Sequence, residues 1–163
     1  MTGSPVVIDL ARVEAAHLDA LVAQFVEVLD ATGSTAGTDP AVARLVPDAY
    51  RDDADAAAEF RSLTEADLLG RRREDAASVR ASLRGLTDLP DDVGDPTLAE
   101  VMIVELDFDQ AQAWLRTLAA IRLVLASRLG IVEEDSHDED DPRFAIYDWL
   151  GYRLQSLVET MEH

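Results

Sequence analysis

The sequence predicts a mainly α fold: a single-domain helical bundle of about five to six helices with a minimal two-stranded β-sheet formed by residues near 6–10 and 102–107. Three observations carry this expectation. The stretch Met102 to Ile131 reads as a short strand feeding a long helix, on which Trp114, Leu118, Ile121 and Leu125 recur at helical spacing beside a second row of Leu115, Leu118, Leu125 and Leu129. So wide an apolar stripe must be covered on more than one side, which places this helix at the centre. Residues 6–29 echo residues 102–125: Asp9 matches Glu105, Leu10 matches Leu106, Leu18 matches Trp114, Val22 matches Leu118 and Phe25 matches Ile121. Two strand-then-helix units of equal length suggest strands that pair with each other and helices that pack side by side. Finally, 163 residues with 48% apolar side chains suffice for one core without disulfide or metal.

Taken in order, Val6, Val7, Ile8 and Leu10 form the first strand. A helix from about Val13 to Asp30 follows, with Leu18, Leu21, Val22, Phe25, Val28 and Leu29 on one face. It runs into a glycine- and hydroxyl-rich stretch, about 31–39, expected to be a flexible linker. A short helix is expected at Ala41 to Leu45, ended by Pro47. Another, capped by Asp52 or Asp53, extends to about Ser62. Thr64-Glu65-Ala66-Asp67 resembles a capping box and opens a separate helix to about Leu86, with Ala76, Val79, Leu83 and Leu86 inward. Asp88 to Thr97, with Pro90, Gly94 and Pro96, is a loop. Past the second strand and its helix, Gly130 fits a helix C-terminus. An acidic loop, about 133–141, leads to a last helix from about Pro142 to Met161, with Ile146, Leu150, Leu154, Leu157 and Met161 inward and Trp149 beside them.

Charge and composition narrow the function classes. A net charge of −19 repels phosphate and disfavours generic affinity for nucleic acid or anionic membrane. The absence of cysteine excludes thiol redox sensing, thiolate nucleophiles, zinc–thiolate sites and disulfides. No basic leader precedes an apolar core, and no apolar run approaches spanning length, so a cytoplasmic location is expected. All 14 basic residues are arginines, a bias that GC-rich coding explains more simply than chemistry does.

Candidate sites are few. The acidic run Glu133 to Asp141 has carboxylates and His137 for a hard cation, but lacks the mid-run glycine and twelfth-position glutamate of an EF-hand, so a solvated loop is expected and no metal is assigned. Between Arg61 and Arg84 six arginines face four acids, the one region where positive charge prevails. Arg71, Arg72, Arg73, Arg80 and Arg84 are the candidate partner contacts, for an acidic protein surface or for phosphate. The competing reading pairs these arginines with the acidic stretches 88–109 and 133–141, which contain no Lys or Arg. Arg122, between Leu118 and Leu125, is a structural ion-pair candidate, since an inward charge demands a partner. His17, His137 and His163 form no catalytic constellation, and no glycine loop cradles phosphate. No enzyme activity and no cofactor are therefore expected.

Three further stretches carry a resemblance: Leu45-Val46-Pro47-Asp48-Ala49-Tyr50-Arg51-Asp52-Asp53, continuing through Phe60 to Glu65; Ala113-Trp114-Leu115-Arg116 with Arg122 to Gly130; and Tyr147-Asp148-Trp149-Leu150. Across the whole chain and in order, the sequence resembles the actinobacterial domain-of-unknown-function family whose members are named AosR-type oxidative-stress transcriptional regulators. The resemblance implies a cytoplasmic regulator of stress and cysteine-biosynthesis genes, acting through a sigma factor or RNA polymerase component rather than reading DNA alone. It also implies sensing by a closely spaced cysteine pair, which this chain lacks. The expected function is thus a non-enzymatic protein-interaction module that influences transcription. Direct DNA binding by the arginine-rich helix and an uncharacterised enzyme or metal-binding protein are the alternatives, and a homodimer through the paired units is compatible with the pattern.

Overall fold

The computed structural model describes residues 4–32, 54–130, 141 and 144–162. Strand β1 (Val6–Ala11) leads directly into helix α1 (Arg12–Thr32), and α2 (Ala54–Ser82) follows. A 3-10 turn (Pro96–Ala99) precedes strand β2 (Val101–Leu106), helix α3 (Phe108–Leu129) and helix α4 (Ala145–Glu162). The fold is mainly helical with a small two-stranded sheet, as expected, and the two strands run antiparallel. The described residues hold four α-helices, fewer than the five to six expected.

One difference has a clear cause. The helices expected at 52–62 and 64–86 are a single helix, α2, and Thr64 lies within it. Ala, Glu, Arg and Leu dominate residues 54–69, and neither proline nor glycine interrupts them. A capping motif contributes only about 1 kcal/mol, too little to break a run of strong helix formers. The expected helix at 41–45, most of the linker 31–39, and the acidic run up to Asp140 lie outside the described residues. At the last helix, Ile146 is not inward but 49% exposed, whereas Leu150 and Leu157 are buried.

The strands pair with each other, as the echo predicts; the structure adds the direction and register, antiparallel with Val6 opposite Leu106, Ile8 opposite Val104 and Leu10 opposite Met102. This register carries a symmetry. Val104 is the echo counterpart of Ile8, while Leu106 and Met102 are the counterparts of Leu10 and Val6. The pairing is therefore symmetric about Ile8 and Val104, as a local two-fold between repeated units requires. The helix starts repeat as well: the backbone N–H of Ala11 donates to Glu14 Oε1 at 3.0 Å, and that of Asp107 to Gln110 Oε1 at 2.9 Å. Only the second unit completes the capping box, because Asp107 also accepts from the Gln110 N–H, which Ala11 cannot do.

The echo's burial matches too. Ala15, Leu18, Val22 and Phe25 are buried in α1, and Ala111, Trp114, Leu118 and Ile121 in α3. Side-by-side packing of these two helices is only part of the arrangement. Each packs more extensively on α2, and α4 covers another side of α3 and reaches β1. Helix α3 accordingly buries residues around most of its circumference, including Ala113, Thr117, Ala120 and Val124. Gly130, at φ 75°, ends it in the left-handed conformation.

Candidate functional site

Among the described residues, the sheet has one covered edge and one open edge. At β1, the Arg153 guanidinium from α4 donates to the Asp9 carbonyl at 2.8 Å. Its other arm donates to Glu14 at 2.6 Å, and Glu14 also accepts from Trp149 Nε1 at 2.8 Å. Burial pushes the Glu14 carboxyl upward, but the hydrogen bonds from Arg153, Ala11 and Trp149 and the charge of Arg153 outweigh it, so it titrates below its ordinary value. Glu14 thus ties the β1–α1 junction to α4.

At β2, no described residue hydrogen-bonds the outer edge. Alternation turns Met102, Val104 and Leu106 into the core and leaves Val101 and Ile103 62% and 66% exposed, with Phe108 exposed just beyond. Eight acids and no base occupy residues 88–109, among them Glu100, Glu105 and Asp107 around the strand. The result is an apolar strand whose outer edge no described residue pairs, inside a strongly negative rim. An unpaired edge of this kind is a template for an added strand. Sequence reasoning assigned β2 to the sheet but overlooked this surface; the signal was alternating Val101, Ile103 and Glu105 on a strand with one neighbour.

The arginines named from sequence fall into separate groups. Arg73 donates to Asp30 Oδ1 at 2.7 Å and to the Leu29 carbonyl at 3.1 Å. Arg80 donates to Asp19 at 2.9 Å. These partners lie on α1, not in the acidic stretch 88–109 that the sequence pointed to. The reason is packing: α2 lies along α1, and its arginines reach the carboxylates nearest to them. Arg71 pairs with Asp67 one turn earlier at 3.2 Å. Arg72 and Arg84 have no ion-pair partner among the described residues, and Arg84 is exposed. Arg116, not singled out from sequence, makes a two-pronged pair with Asp75 at 2.9 and 3.0 Å, joining α2 to α3.

Arg122 stacks over the Tyr147 ring, 4.0 Å from its centroid, and its Nε donates to the Tyr147 carbonyl at 3.3 Å. Gly151 leaves room for it: a Cβ there would lie 3.0 Å from the guanidinium. His17 lies beside a groove of about 450 Å³ between α1 and α4, with Ile146 and Trp149. His137 and His163 lie outside the described residues. Among the described residues no group of three or more His, Asp or Glu is arranged to hold a metal ion, and no helix is long and apolar enough to cross a membrane.

Comparison with curated proteins and with solved structures returned no match. A family model described as "Domain of unknown function (DUF2017)" matches residues 1–161, and the chain belongs to that family.

Proposed function

We propose that this chain is a non-enzymatic protein-interaction module that influences transcription in a stress response, through a sigma factor or a polymerase-associated partner in the cytoplasm. The transcriptional part rests on the resemblance of the quoted stretches to AosR-type regulators. The interaction part rests on one observation: the outer edge of β2, unpaired among the described residues, with Val101 and Ile103 exposed inside an acidic rim. That surface suits a basic segment that adds a strand, placing aliphatic side chains beside Val101 and Ile103 and a Lys or Arg beside Glu105. Regulation by thiol oxidation is not part of the proposal, because the chain contains no cysteine.

Direct DNA binding by the arginine face is the second reading. It is weakened by the engagement of Arg73 and Arg80 with α1. Affinity purification from the native cell tests both readings, using the wild-type chain and Ile103→Asp with its fold verified by circular dichroism. Wild type recovers a sigma factor or polymerase component and the variant does not. Recovery of neither component by wild type, or equal recovery by both chains, overturns the proposal; a salt-dependent gel shift lost on reversing Arg72 and Arg84 would favour DNA instead.

A further inference from the structure

The hydrogen-bond phase of the sheet decides which backbone groups face the outer edge of β2. The Arg12 N–H donates to the Glu100 carbonyl at 2.9 Å, and Leu10, Ile8 and Val6 stand opposite Met102, Val104 and Leu106. Opposed residues of an antiparallel pair alternate between exchanging hydrogen bonds and turning their backbone groups away from the neighbouring strand. From the Arg12–Glu100 pair onward, Met102, Val104 and Leu106 therefore direct their N–H and C=O at β1, and Val101, Ile103 and Glu105 direct theirs outward. The covered edge shows the same phase: Asp9, opposite Ile103, turns its carbonyl away from β2 and accepts from Arg153 at 2.8 Å.

The outward backbone groups belong to the residues whose side chains lie on the solvent face, Val101, Ile103 and Glu105. Read along the strand at alternate positions, this face is aliphatic, aliphatic, acidic, so the edge has a polarity. We infer that β2 accepts an antiparallel strand from a basic protein with the N-to-C pattern basic-x-aliphatic-x-aliphatic, an inference that rests on the reading of this edge as the interaction surface. The basic residue stands opposite Glu105, and the two aliphatic residues stand opposite Ile103 and Val101. Antiparallel pairing is the stronger per residue, and a parallel strand would need the reversed pattern. Charge selects the occupant. Residues 88–109 hold eight acids and no base, which suits a cationic strand. A second copy of this chain does not suit it: pairing β2 with β2 about Ile103 sets Val101 against Glu105 and brings the two acidic rims together.

The full chain is titrated with the capped, fluorescein-labelled peptide Lys-Arg-Thr-Val-Thr-Val-Gly, followed by anisotropy. It binds with Kd on the order of 10–100 μM at low ionic strength and about tenfold more weakly at about 0.5 M salt. The peptide of reversed order, with the same composition and charge, binds about fivefold more weakly or worse. N-methylation of the two valines, whose N–H groups face β2, abolishes binding, whereas N-methylation of the two threonines, whose N–H groups face away, leaves it unchanged. Glu105→Lys weakens binding about tenfold, and a peptide with Glu in place of Arg restores it. No saturable binding at millimolar peptide, equal or tighter binding of the reversed peptide, indifference to valine methylation, or a dimer in sedimentation that Ile103→Asp dissociates overturns the inference. Synthetic peptides separate this outcome from capture of a sigma factor or polymerase component. Peptide binding without capture supports the strand acceptor and overturns the transcriptional reading; capture without peptide binding does the reverse.

Discussion

The Arg153 guanidinium donates to Glu14 Oε2 at 2.6 Å, joining residues from the first and last helices at the place where β1 turns into α1. Both side chains are less than a third exposed, and the same carboxylate receives Trp149 and Ala11. An ion pair with four donors and acceptors committed at one point fixes the angle at which α4 crosses β1. It also decides what happens when the carboxylate is lost.

Glu14→Ala leaves one arm of Arg153 and the Trp149 N–H without their acceptor in a half-buried setting, while the other arm keeps the Asp9 carbonyl. The expected loss of stability is about 2–3 kcal/mol, measured by urea unfolding with an unchanged m-value. Glu14→Gln keeps an acceptor oxygen and costs less.

The same contact makes stability pH-dependent in one direction. Glu14 titrates lower when folded than its ordinary value of 4.5, so its contribution is fully present above that pH and is lost as pH falls through the folded value. Wild type is expected to lose stability more steeply than Glu14→Gln as pH falls below about 4.5, with parallel curves above pH 6, in denaturant melts across that range. A steeper acid slope in the variant would contradict this assignment.

Gly151→Ala tests the seat of Arg122. In an ordinary helix interior this change stabilises by about 1 kcal/mol. Here the added methyl would sit 3.0 Å from the Arg122 guanidinium and push it off the Tyr147 ring. The stabilisation is expected to be absent in the wild-type background and to appear in Arg122→Met. A double-mutant cycle therefore yields a coupling of about 1 kcal/mol.

Helix α3 is stopped at both ends by side-chain and backbone chemistry. Asp107→Ala removes half of its capping box and is expected to cost about 1 kcal/mol. Gly130→Ala forces a β-carbon into φ 75° and is expected to cost a similar amount, about 1 kcal/mol. The sites stand at opposite ends of the helix, so the two losses add in thermal or chemical melts.

The arginines of α2 separate by partner. Arg72→Glu is expected to change stability by no more than about 0.5 kcal/mol, as does most surface substitution. Arg80→Glu sets a carboxylate against Asp19 and costs about 0.5–1 kcal/mol, partly recovered by Asp19→Arg. A large loss at Arg72 would reveal a partner beyond those described.

Much of this architecture is legible in the chain because it follows from periodicity. Apolar residues at i, i+3 and i+4 define α1, α3 and α4, and the repeat of residues 6–29 in 102–125 announces the paired strands, since both units must bury the same faces. Local chemistry was less reliable where two signals competed. Thr64 to Asp67 has the pattern of a helix start, yet helix propensity on both sides runs α2 through it.

The candidate surfaces divide along the same line. Composition alone settled the absence of thiol chemistry and the acidity of residues 88–109, which depend only on which residues are present. Which arginine meets which carboxylate needed the tertiary structure, because Arg73 and Asp30, or Arg80 and Asp19, are brought together by helix packing and share no sequence spacing. So did the open edge of β2: a strand's pattern shows which side chains face the core, but only the completed sheet shows that no described residue pairs beyond it. The N–H of Trp114, which meets no acceptor among the described residues, is of the same kind, since a tryptophan at a core position reads as packing until the atoms around its nitrogen are known.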